Sequence, residues 1–284
     1  MVFSATSFGI MAFCAKIASR NLSGPEVAFM RMAAGILPVV FVPHYRRAAL
    51  HFHRIDLILY RGFFGGLAVM LYFIAIQHTT AGLGTLLNYT SPIWSGIFSL
   101  LFISEKISPR VLIPLPIAFT GIYLVVHASA AGMSVWLLLG LLSAVASGAA
   151  VTAMRAARRE ENSWSVYASF CFLGMLVNLP LTIKEWRTPV GSDWIALGAC
   201  AVFAMAAQLL MTFSLRWVDA MTVGVISQLA VIVSMALGAL FLHETITGLG
   251  AAGSVLTIAG VLGVTFITTI GKHQVAAGEI VPEA

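Results

Sequence analysis

Ten stretches of roughly twenty mostly apolar residues follow one another along this chain, each long enough to cross the hydrocarbon of a bilayer. They cover 2–19, 25–43, 57–77, 81–103, 110–128, 133–154, 164–183, 193–215, 220–242 and 247–270. Hydrocarbon offers backbone amides no water to bond, so each stretch must satisfy its own peptide groups and reads as a helix. Composition agrees with this. Of 284 residues, 60% are hydrophobic and 10% charged, whereas a soluble domain carries about 25% charged residues. The outer surface of such a chain faces lipid.

Charge placement orients the helices. With the N-terminus in the cytoplasm, eleven basic residues fall on the inner side: Arg46, Arg47, Arg54, Arg61, Lys106, Arg110, Arg155, Arg158, Arg159, Arg216 and Lys272. The outer side holds four, Lys16, Arg20, Lys184 and Arg187, and Arg31 is left inside a span. The positive-inside rule therefore predicts a multi-pass protein of the cell inner (plasma) membrane with both termini cytoplasmic. The net charge of +5 comes from these short loop runs, with no aromatic-interleaved basic face, so nucleic acid is not an expected partner. Cys14, Cys171 and Cys200 each lie in an apolar stretch without CxxC spacing, which excludes a disulfide framework and a metal site. GxSxG, HExxH and paired-carboxylate patterns are absent, so neither an enzyme nor a cofactor is expected.

The chain also repeats itself. A gapless shift of 139 residues places Ser4 on Ser143, Gly9 on Gly148, Gly35 on Gly174, Ala81 on Ala220, Ser95 on Ser234 and Gly121 on Gly260. The tract Leu101, Phe102, Glu105, Ile107 falls on Leu240, Phe241, Glu244, Ile246, and Lys16 falls on the like-charged Arg155. Five helices is an odd number, so the second copy enters the bilayer from the opposite side. The predicted fold is an all-α integral membrane protein of ten transmembrane helices in two inverted five-helix repeats. Residues 1–128 form the first repeat, 133–271 the second and 272–284 a cytoplasmic tail. A duplicated chain carries both halves of its own pathway, which makes a monomer plausible.

The segments SPIWSGIFSLLFISEKIS and SQLAVIVSMALGALFLHETIT resemble the paired glutamate-ended helices of the drug/metabolite transporter superfamily, in its ten-helix EamA-type branch. Lys16 late in the first span and Arg31 in EVAFMRMAAG are similar to that family's pattern. The resemblance covers essentially the whole chain and implies cytoplasmic termini, alternating access and export of amino acids or other metabolites. Within the branch the chain looks most like YddG-type bacterial exporters of aromatic and other neutral amino acids. It departs from internal symmetry at Pro92, whose counterpart is Val231, so the two halves are expected to bend differently.

Polar residues inside the spans are the candidates for a solute pathway. Gly84, Asn88, Ser91, Ser95 and Ser99 share one face of the fourth helix; Gly224, Ser227, Ser234 and Gly238 repeat it in the ninth, with Gln228 alongside. Small residues there also serve helix packing. Asn88, Gln208 and Gln228 are expected to line a mid-membrane cavity, because an amide facing lipid would leave donors and acceptors unmet. Ser227 belongs with them, and Tyr72, Tyr89 and Trp94 are candidate aromatic wall, with packing or interfacial anchoring as the alternative. Lys16, Arg31, Arg155, Glu105 and Glu244 read as gating or structural residues. The glutamates end their helices as caps, and Lys16 and Arg31 sit near enough to an outer end to snorkel. A cavity of neutral amides and aromatics would suit a small, partly apolar zwitterion; no mid-cavity Lys/Arg cluster of the kind a phosphate ester requires is apparent.

Overall fold

The computed structural model describes residues 1–49, 53–103, 113–128, 134–157, 160–214 and 226–278. The chain forms α1 (Val2–Ala18), α2 (Gly24–Phe41), α3 (Pro43–Ala49), α4 (Ile55–His78), α5 (Ala81–Asn88) and α6 (Ser91–Ile103). It continues with α7 (Pro114–Ala128), α8 (Val135–Ala157), α9 (Ser163–Glu185), α10 (Asp193–Ser214), α11 (Leu229–Leu242) and α12 (Gly248–Gly278). The helices α2, α4, α8, α9, α10 and α12 are long and apolar enough to span a bilayer; α1, α7 and α11 are shorter apolar helices. With α5 and α6 together making the fourth crossing, these are the ten transmembrane segments. Side chains such as Phe3, Phe41, Phe119, Ile195, Leu240 and Val255 point outward, an apolar belt that only lipid would cover.

The fourth segment is not one helix. It breaks at Tyr89 and Thr90, just before Pro92, which lacks the amide a continuous helix would use and sits instead in the first turn of α6. The single small-residue face expected over 84–99 is therefore interrupted. Gly84 lies against Ile76 of α4, while Asn88, Ser91 and Ser95 reach the interior. Ser99 lies outside the described side chains, as do Glu105 and Gly224.

Contacts repeat at the spacing the sequence shows. Gly9 of α1 approaches Val233 of α11 so closely that a Cβ at Gly9 would stand 2.6 Å from it; Gly148 of α8 meets Trp94 of α6 at the same 2.6 Å. Gly9 and Gly148, like Val233 and Trp94, are one repeat apart. At the α7–α12 crossing, Gly121 abuts Thr257 and its equivalent Gly260 abuts Ala118, the equivalent of Thr257. The amide of Gln228 donates to the Tyr89 carbonyl at 3.2 Å across a separation of 139 residues. A residue that touches its own repeat equivalent lies on the axis relating the two.

The repeats run in opposite directions. α1 begins with Met1 and ends with Lys16 against the C-terminus of α4. Its equivalent α8 begins with Trp136 stacked on His78, at that same C-terminus, and ends at Met154 and Arg155. The two helices are antiparallel, as an inverted repeat demands.

Small residues close the seams. Between α4 and α9, Gly66 and Gly174 come so near that a Cβ at Gly66 would stand 2.6 Å from the Gly174 Cα. Buried Asn178 donates to Gly174 O at 2.7 Å within α9 and to Gly66 O at 3.4 Å across the seam. Gly66→Val should force the helices apart and cost about 2 kcal/mol. Unfolding in a graded detergent or urea series checks this, and an unchanged midpoint would show that the seam yields freely.

Candidate functional site

Both halves contribute to a cavity of about 190 Å³ around the repeat axis. Six pairs of repeat-equivalent residues line it: Phe8 with Ser147, Met11 with Ala150, Arg31 with Phe170, Val69 with Gln208, Tyr72 with Met211, and Asn88 with Ser227. A cavity lined by equivalent positions of two inverted repeats has the same backbone framework toward each side of the membrane, here with different side chains in all six pairs.

One end is shut. Lys16 Nζ donates to Ile76 O at 2.9 Å, Gln77 O at 3.1 Å and also to Thr79 O, filling the orphan carbonyls at the end of α4. Thr80 caps α5 by accepting from Leu83 N at 3.0 Å, and Glu244 Oε1 accepts from Ala81 N at 3.0 Å. Glu244 reaches there because His243, in the left-handed region at φ 54°, turns the chain back at the end of α11. Side-chain-free Gly238 leaves room for the returning carboxyl. A charge from the second repeat thus holds a helix start of the first. Lys16, absent from the cavity wall, binds backbone instead of snorkelling.

The wall extends to the other end through Met1, Ser4, Arg61, Met154, Arg155 and Met211. That end also carries the α3–α4 junction, where the His53 and Arg54 amides donate to Glu161, and Arg54 pairs with Asp56 at 2.8 Å. At the shut end lie Asn21, hydrogen-bonded to Asp193 at 2.8 Å, and Arg187, whose amide donates to Glu26 at 3.2 Å.

The structure gathers Asn88, Gln208, Tyr72, Tyr89 and Ser227 on this wall. Asn88 Nδ2 donates to Ser143 and Ser147 at 3.0 Å each, and Tyr72 shares a 2.8 Å hydrogen bond with Thr85. Gln228 and Trp94 are not on the wall. Gln228 is buried, and its amide serves the Tyr89 carbonyl orphaned by the helix break. Trp94 packs its Cβ against Gly148.

The larger correction concerns charge. Arg31 is 6% exposed and lies on the wall rather than snorkelling outward; its guanidinium meets Met11 Sδ at 3.0 Å and stands 5.4 Å from the Phe73 ring centre. Arg61, counted from sequence with the inner loops, is 5% exposed in α4 and on the same wall, 4.4 Å from the Phe170 ring centre. Arg155 lines it too, with Nη1 3.4 Å from Ser95 Oγ. The expected absence of a basic cluster does not hold. Arg61 was hidden because its side chain, four residues before Gly65, folds back over that glycine.

A polytopic α-helical membrane protein with an axial cavity closed at one end is built as a solute carrier. The chain belongs to the EamA-like transporter family, whose profile matches residues 1–127 and 134–266. It is similar to the pseudopaline exporter CntI of Pseudomonas aeruginosa, with 29% identity over 90% of this chain and 91% of that one. It is also similar to an uncharacterized transporter of Archaeoglobus fulgidus, at 26% over 86% of this chain and 88% of the other. Solute carrier family 35 member G1 of Homo sapiens matches at 24% over 86% of this chain and 72% of its own length. One crystal structure shares the fold with a TM-score of 0.66 over 94% of this chain and 96% of that chain, at 19% identity.

Burial pushes the Glu244 carboxyl above its ordinary 4.5, opposed by the amides of Ala81 and Gly82 and by the charge of Lys16. A raised folded-state value means that the folded protein holds this proton more tightly than the unfolded chain. Stability should therefore fall as pH rises from 4.5 through the raised value, then level off. Glu244→Gln keeps the acceptor and should flatten that slope, whereas Glu244→Ala loses the cap at a cost of about 1 kcal/mol. Melting temperature against pH in detergent measures both. Parallel profiles for wild type and Gln would mean that another group titrates.

Proposed function

We propose that this chain is a secondary carrier that exports small organic solutes by alternating access through the axial cavity, with both termini in the cytoplasm. The observation that carries the reading is the cavity itself, shared between inverted repeats and ending short of the corner that Lys16 and Glu244 tie. Exchanging the closed end from one repeat to the other would deliver a bound solute across the membrane. The mouth side holds Arg46, Arg47 and Arg54, which supports placing it in the cytoplasm. A cytoplasm-facing cavity is poised to load an exported solute.

The wall joins apolar groups, Phe8, Met11 and Phe170, to the amides Asn88 and Gln208. A solute with a polar end and an apolar body fits, and aromatic and other neutral amino acids are the simplest members of that class. The likeness to a pseudopaline exporter favours a second reading, in which a different small metabolite is carried. In both, Gln208 contacts the polar end.

Counterflow into purified proteoliposomes tests the reading with L-phenylalanine, L-tryptophan and their N-acetyl derivatives as probes. At least one should accumulate above protein-free vesicles. Gln208→Leu should weaken its apparent affinity by about tenfold, the loss of one hydrogen bond to a charged group. Absence of flux for all four probes would overturn the amino-acid reading in favour of the second, and equal affinity in the variant would confine Gln208 to packing.

A further inference from the structure

Resting on the carrier reading, but replacing its neutral amino acids as the solute, we infer that Arg31 and Arg61 form an anion-binding subsite and that the carried solute is a net-negative carboxylate. Both guanidiniums are more than nine-tenths buried at membrane depth. Arginine does not discard its proton, so each keeps a full charge there. A buried charge is ordinarily matched by a carboxylate or drawn out to the interface. Neither has happened. Among the described residues no Asp or Glu lines the cavity, and no ion pair is made by Arg31 or Arg61. Glu26, five residues before Arg31, faces the shut end and accepts from the Arg187 amide instead. Arg61 Nε has no hydrogen-bond partner at all.

What holds the two cations is aromatic. Phe170 is shared by both, with the Arg31 carbon 6.0 Å and the Arg61 carbon 4.4 Å from its ring centre. Ring faces steady a guanidinium plane without using its N–H donors; among the described residues only Arg31 Nη1 is engaged, on the weak acceptor Met11 Sδ at 3.0 Å, which leaves the other donors for a ligand. A carboxylate offers the matching bidentate acceptor, and two of them on one solute would engage both forks. Phe170 and Met11 would flank the apolar remainder, and Arg155 adds a third cation toward the mouth. A zwitterion would bring an ammonium into a wall that already holds surplus positive charge. Such a site discriminates by net charge, favouring the anion over the zwitterion and the zwitterion over the cation.

The test compares N-acetyl-L-phenylalanine, L-phenylalanine and L-phenylalaninol, which share a benzyl group and carry net charges of opposite sign or none. In proteoliposomes, the N-acetyl anion should be carried fastest and phenylalaninol least. Arg31→Gln and Arg61→Gln should each lower anion flux by about tenfold or more, and Arg61→Lys, which keeps the charge, should retain more flux than Arg61→Gln. Melting temperature separates binding from scaffold. Removing an unmatched buried charge should leave the Gln variants as stable as wild type or more so. Variants that melt several degrees lower yet carry the anion normally would overturn the subsite, as would preferred transport of phenylalanine at wild-type and variant rates alike. Those results leave the carrier standing. Failure of all three solutes to move would remove the amino-acid reading and this inference together.

Discussion

A helix end leaves backbone groups without intrahelical partners, and the corner between α4 and α5, where the third crossing gives way to the fourth, is where this chain meets that constraint most fully. Lys16 occupies the carbonyls that end α4, and Thr80 and Glu244 occupy the amides that start α5. The two charges come from opposite repeats, α1 of the first and the turn after α11 of the second. Satisfying one corner therefore fastens the halves together at one end of the cavity. The left-handed His243 and bare Gly238 are the local means by which Glu244 gets there. The second break, at Tyr89, is met differently: Gln228 supplies the missing donor from the axis-related position of the other repeat.

With that end tied, the interior must accommodate what the inverted repeats bring to the axis. Equivalent positions face one another there, but they have diverged. Arg31 stands opposite Phe170 and Val69 opposite Gln208. A symmetric backbone thus carries an asymmetric surface, in which the first repeat supplies the polar member of one pair, Arg31, and the second repeat that of the other, Gln208. Duplication supplies the pathway, and substitution at paired positions supplies selectivity. The arginines gain their strength from the same burial that makes them costly, since electrostatic attraction grows as water is excluded.

The helices, the repeat and its 139-residue register were legible in the sequence because each follows from local pattern: apolar length, loop charge and matching residues at fixed spacing. So were Asn88, Gln208, Tyr72, Tyr89 and Ser227 as interior residues, since a polar side chain within a span has few other places to go. Gln228 and Trp94 were expected on the wall as an amide and an aromatic within spans, but Gln228 serves the Tyr89 carbonyl freed by the helix break and Trp94 packs on Gly148. Pro92 signalled a bend without showing that the helix stops. Arg61 was the real omission. At the edge of a span a basic residue reads equally as loop or interior, and only the packing of α4 on α9, which brings Phe170 beneath its guanidinium, decides between them. Convergence of Arg31, Arg61 and Arg155 from three helices has no local signature.

The central claim is that one cavity on the repeat axis is reached from the Met1 end and barred at the Lys16 end. Ser147, on the wall opposite Phe8, reports on it directly. A single cysteine there, with Cys14, Cys171 and Cys200 replaced, can be challenged with a membrane-impermeant maleimide in right-side-out and inverted vesicles. The account predicts rapid labelling in inverted vesicles, where the proposed orientation turns the Met1 end to the reagent, and little in the right-side-out preparation. Equal labelling from both sides, or labelling only through the Lys16 end, would contradict it.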